Sequence, residues 1–165
     1  MTEKIVSEIM DEMIRYSEGN LHDIAHFMKV YAYARTIGVN ENLDEDTLIT
    51  LEITAILHDI ACPICRKKYG NTNGKNQEME STPLVVPFLK KYDLPEEVKE
   101  RITFLVSHHH TYTNVDGIDY QILLEADFLV NADESNMTRE MIENARYGFF
   151  RTDAGIKLLE EIYLK

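Results

Sequence analysis

The sequence predicts an all-α protein, a single helical bundle of about six to eight helices, on three observations. The chain has 165 residues, the size of one domain, and at that length roughly 70% of the surface exposed by the unfolded chain is buried on folding. Only four Pro and seven Gly interrupt it. Its apolar residues recur mostly at intervals of three and four, the period of a helix face, and no strand pattern competes.

Taken in order, residues 3–17 place Ile5, Ile9, Met13 and Tyr16 on one stripe of an amphipathic helix ending near Gly19. Asn20 caps the next, with Asp23 completing a loose capping box, and Gly38 stops it after Ile37. Asp44 to Asp46 open a third helix reaching Ala61. Residues 77–92, 95–109 and 118–131 form the fourth, fifth and sixth, and weaker helical patterns follow at 138–147 and 153–164. Between the third and fourth, residues 62–76 read as an irregular stretch.

Seventeen Lys and Arg against 29 Asp and Glu give a net charge of −12. That balance argues against gripping duplex nucleic acid or an anionic membrane through a general basic field, so any phosphate ligand must be held locally. Two Cys do not make a disulfide scaffold. The polar start MTEKIVSEIMDEM has no signal-like apolar region, and a cytoplasmic protein is expected.

The informative residues are polar ones in apolar surroundings. LITLEITAILHDIA is apolar nearly all round, yet holds His58 and Asp59 in its last turns. ILLEADFLV surrounds Asp127 in the same way. ITFLV runs into His108, His109 and His110, and His22 and His26 lie four apart on one helix face. An unpaired buried carboxylate costs several kcal/mol or takes up a proton, and neither LITLEITAILHDIA nor ILLEADFLV contains a Lys or Arg. Taken singly, each residue reads more readily as a hydrogen-bonded core histidine or an ion-paired aspartate. Together, imidazoles and carboxylates from four helices suit a divalent Zn, Mn, Fe, Co or Ni.

With these residues in hand, the sequence resembles the HD superfamily of metal-dependent phosphohydrolases, helical proteins named for an adjacent His and Asp on a central helix. The ordered match is His26 followed by Lys29 and Val30, then ILHDIA with His58 and Asp59, then LLEADFL with Asp127. The resemblance implies one HD-type domain over residues 1–165, with its motifs at 20–131 and C-terminal helices at 138–164. It also implies that His26, His58, Asp59 and Asp127 bind one divalent cation. Binuclear relatives carry further histidines between the HD pair and the last Asp. Here Gln77, a poor ligand, stands in the first of those places, so a mononuclear site is favoured, with at most a weak second metal.

On the same resemblance, Asp59 orients or deprotonates water, and His108 or His109 protonates the leaving oxygen. Arg66, Lys67 and Lys68 follow the HD pair closely and read equally as a substrate phosphate site or a solvated loop. His110 reads as solvent-facing, and His22, one turn from His26, reads either as a group supporting His26 or as a solvent-facing residue at a helix start. Cys62 and Cys65 lack the context of a redox motif and read as incidental. The expected function is hydrolysis of a phosphate ester or anhydride, on a small phosphorylated substrate such as a nucleotide. The alternatives are a metal-bearing nucleotide sensor and, a distant third, a helical adaptor. A homo-oligomer is compatible with the sequence.

Overall fold

A computed structural model describes residues 2–165. Among them lie nine helices and no strand: α1 (Thr2–Tyr16), α2 (Leu21–Asn40), α3 (Glu45–Leu57), α4 (Cys62–Tyr69), α5 (Gly74–Leu89), α6 (Glu96–Val106), α7 (Ile118–Glu134), α8 (Arg139–Gly148) and α9 (Asp153–Tyr163). The all-α class is as expected. The additional helix is α4, which occupies the first half of the stretch expected to be irregular.

Local chemistry explains the boundaries. Asn20 accepts a hydrogen bond from Asp23 N at 3.1 Å, and Asp44 accepts one from Thr47 N at 2.9 Å. Each such cap stabilises its helix by about 1 kcal/mol. Pro63 lies in the first turn of α4, and Gly70 closes that helix in the left-handed region (φ 70), its N–H donating to Arg66 O at 3.0 Å. Gly38 does not stop α2. A Cβ there would lie 2.9 Å from Leu48 Cδ1 and 3.2 Å from Leu51 Cδ2, so its bare backbone is where α2 approaches the α3 side chains most closely.

The central element is α3, in which every residue from Ile49 to Leu57 is buried. Leu51 and Ala55 face Val30, Ala34 and Ile37 of α2 and Leu123 and Leu129 of α7. Ile53, Ile56 and Leu57 face Ile9 and Met13 of α1, Val85 and Leu89 of α5 and Ile102 of α6. Two apolar clusters therefore share α3 as their common wall. The one buried carboxylate inside this helix, Glu52, is paired with Arg35 of α2. The run Glu45–Tyr69 is apolar and long enough to cross a bilayer by composition, but most of it is buried inside the bundle, as a core helix is. The end of α3, the second turn of α2, the middle of α7 and the turn after α6 meet at one place.

Candidate metal centre

His58 caps the C-terminus of α3 and is fully buried. Its Nδ1 donates to Ala55 O at 2.6 Å, which leaves Nε2 as a lone-pair donor. Asp59 follows in the turn rather than in the helix. His26 on α2 and Asp127 on α7 are each 5% exposed. His26 Nε2 lies 3.1 Å from His58 Nε2, 3.2 Å from Asp59 Oδ2 and 3.2 Å from Asp127 Oδ1. His58 Nε2 lies 3.4 Å from each of the same two oxygens.

These separations test whether a cation fits. Donors about 2.1 Å from a shared cation stand about 3.0–3.4 Å apart at octahedral or tetrahedral angles. Two imidazole nitrogens facing each other between two carboxylates also need a positive charge among them. The donor set and its spacing fit a divalent transition metal.

Asp59 reaches a second group through its other oxygen. Oδ1 lies 3.3 Å from His109 Nε2, and Asp59, His109 and His110 offer ligand atoms within 4.8 Å of one another. His109 is buried, and its Nδ1 donates to Val106 O at 2.8 Å. The Tyr120 hydroxyl fixes this turn by sharing its one proton between His108 O and Thr111 O, at 2.8 and 2.5 Å. Glu78 accepts from His110 N at 3.2 Å and from Thr111 Oγ1 at 2.8 Å. Gly74 opens α5 directly against the His110 ring, whose Cγ would be 2.6 Å from a Cβ. Gln77 donates to Thr72 O at 2.7 Å, which leaves its buried Oε1 without a partner. Buried His109 Nε2 has Asp59 Oδ1, at 3.3 Å, as its neighbour.

The electrostatics follow from this crowding. Burial opposes charge on His26, but hydrogen bonds to Asp127 and Asp59 outweigh it and push its pKa up to about 11. Burial likewise raises Asp59 and Asp127, and the histidines around them more than reverse this, holding both well below the usual carboxylate range. Burial lowers His109 and the adjacent Asp59 raises it, with a net upward shift. His110, half-open to solvent, is pushed down to about 4 by desolvation and by His109.

Not every expected residue joins the site. His108 stacks on Phe104 with ring centroids 4.1 Å apart and gives its Nδ1 to Phe104 O at 2.7 Å. Neither His108 nor His109 lines the cavity, but His109 lies against Asp59 at 3.3 Å behind its wall. The helix ends at Val106, so successive histidines diverge around a turn, and His110, expected in solvent, is the one that joins Asp59 and His109. Arg66 lines the cavity and pairs with Asp23 at 2.6 Å. Lys67 lines a neighbouring surface depression, and Lys68 pairs with Glu80 at 3.0 Å. Three consecutive residues of a helix point about 100° apart, so α4 brings one of this trio to the cavity where a loop might have brought all. Sequence reasoning missed Glu134, the last residue of α7, which accepts from His26 Nδ1 at 2.9 Å. Its position seven residues after Asp127, on the same helix face, was the available signal.

Residues 21–147 match the family model described as HD domain. The chain belongs to the HD domain family. HD domains bind divalent metals, and the His and Asp groups above could hold one. A crystal structure described as a predicted HD superfamily hydrolase from an uncultured Thermotogales bacterium is 21% identical, with a TM-score of 0.59 over 98% of this chain and 84% of that one. YpgQ of Bacillus subtilis is 18% identical, with a TM-score of 0.58 over 99% of this chain and 89% of that one. At these identities the likeness is one of HD fold. No curated protein sequence matches the chain.

Proposed function

We propose that this HD protein is a metal-dependent phosphohydrolase that cleaves a phosphate ester or anhydride of a nucleotide or related small metabolite. The observation that carries the reading is the convergence of His26, His58, Asp59 and Asp127 at 3.1–3.4 Å inside an apolar bundle. His26, His58, Asp59 and Asp127 would hold a divalent cation, which would supply Lewis-acid polarisation of a phosphoryl oxygen and a lowered pKa, about 7, for a water. Asp59, held ionised, orients the attacking water through Oδ1 or takes its proton. His109, whose protonated form Asp59 favours, donates to the leaving oxygen. Arg66 exchanges its partner Asp23 for a substrate phosphate. The cavity measures about 440 Å³, in the range of small-ligand pockets. We place the activity in the cytoplasm, where two free, buried cysteines are at home.

Gln77, standing where binuclear relatives carry His, favours a second reading: a module that binds metal and nucleotide without turnover. A panel of nucleoside mono-, di- and triphosphates and simple phosphomonoesters, assayed with Mn, Co, Ni and Mg, separates the two. The expected result is metal-dependent release of phosphate or pyrophosphate that Asp59→Asn lowers by at least about 100-fold. Binding without turnover selects the sensor, and full activity in Asp59→Asn overturns the hydrolytic site.

A further inference from the structure

Of the inward-facing imidazoles, His58 and His109 each give Nδ1 to a backbone carbonyl three residues earlier in their own chain segment. His26 is held differently. Its Nδ1 lies 2.9 Å from Glu134 Oε2, a side chain on another helix. Glu134 Oε1 lies 3.8 Å from Lys29 Nζ, and His22 Nε2 stands 3.7 Å from Oε2. We propose that Glu134 is a positioning residue of the metal centre, whose carboxylate holds Nδ1–H of His26 so that Nε2 faces Asp59 and Asp127 as a lone-pair donor, with Lys29 holding the carboxylate in place. The proposal rests on the metal reading of the four donors.

The geometry has a sequence logic at both ends. His26 and Lys29 are three residues apart on α2 and share a face, so one carboxylate receives both. Asp127 and Glu134 are seven apart on α7, about two turns, so one helix supplies both a donor to the cavity and the group that orients a second donor. An ionised carboxylate can only accept, which makes Nδ1 the protonated nitrogen and fixes the tautomer. A carboxylate on the far nitrogen also makes the inward nitrogen a stronger base toward a cation, and loss of such partners typically costs about 10- to 100-fold in metal affinity. Glu134 is 15% exposed and reaches the cavity wall, so its substitution leaves the two apolar clusters untouched.

The test is titration of the full chain with Zn²⁺ alone, by calorimetry, for wild type, Glu134→Ala, Glu134→Gln and the control Asp133→Ala, with helicity checked for each. Glu134→Ala is expected to weaken binding by about 10- to 100-fold, and Glu134→Gln, whose amide oxygen still accepts, to recover most of that loss. Asp133→Ala is expected to match wild type. In the proton NMR spectrum of Zn²⁺-loaded protein, the slowly exchanging His26 Nδ1–H is expected in wild type and Glu134→Gln and absent in Glu134→Ala. Affinity of a folded Glu134→Ala within about threefold of wild type overturns the proposal. So does an equal loss in Asp133→Ala, which would assign the effect to charge at the helix end. If wild type itself takes up no Zn²⁺, the metal reading falls first and this proposal with it.

Discussion

On the proposed reading, His26 Nε2 offers one lone pair for which a proton and a metal ion compete. In protein stripped with a chelator, the carboxylates of Asp59 and Asp127 raise His26 from its ordinary 6.5 to about 11. A raised folded-state pKa gives stabilisation that is complete below 6.5 and is lost as pH rises through about 11. Asp59 and Asp127 are shifted down, so their contribution is present above the ordinary value of 3.8 and is lost as pH falls. The difference in melting temperature between chelated wild type and His26→Gln should therefore shrink steadily from pH 6.5 upward. Circular dichroism melts across that range check it, and a difference independent of pH would contradict the assigned ion pairs. His58, Asp59 and Asp127 stood out in the sequence because a polar residue inside an apolar helix demands a partner, whereas His26 was singled out by the resemblance to the HD superfamily. The spacing of Glu134 from Asp127 was a signal, but its hold on His26 is a contact spanning 108 residues, and the place of His110 depends on the path of a turn.

Among the elements, α3 determines most of what the others can do. It is buried from Ile49 to Leu57, and it delivers His58 and Asp59 at the point where its helical hydrogen bonding ends. Ile53 is completely buried between α3 and the α1, α5 and α6 side of the core. Ile53→Ala should therefore cost about 2–5 kcal/mol, through lost transfer energy and the cavity left behind. Leu21→Ala, at a residue 79% exposed, should cost less than about 0.5 kcal/mol. Urea denaturation of the two variants measures both, and equal losses would contradict the placement of α3 as the shared wall. The long apolar helices were readable from their periodicity. The short α4 was not, because CPICRKKY buries only Cys62 and Cys65 and has no stripe to read. Its signals were the Pro in its first turn and the Gly after its end. Gly38 misled in the opposite direction, since close packing against Leu48 and Leu51, not chain reversal, requires it.

Across the whole molecule, an acidic protein of net charge −12 concentrates two carboxylates and two imidazoles at one internal point. The bundle holds this arrangement by tying its parts together with other buried polar groups. Arg101 grips Asp119 with two hydrogen bonds of 2.9 and 2.7 Å, joining α6 to the start of α7. Glu125 receives Thr152 Oγ1 at 2.6 Å and Thr152 N at 3.2 Å, fastening α9 to α7. These cross-links fix the positions from which the four donors reach inward, so a cation that binds the folded chain alone should also stabilise it. Crystals soaked in Mn²⁺ and measured for anomalous scattering put the central claim to its most direct test. The account predicts a single dominant peak about 2.0–2.3 Å from His26 Nε2, His58 Nε2, Asp59 Oδ2 and Asp127 Oδ1. A map with no peak among those atoms, at Mn²⁺ concentrations that saturate other HD domains, would contradict it.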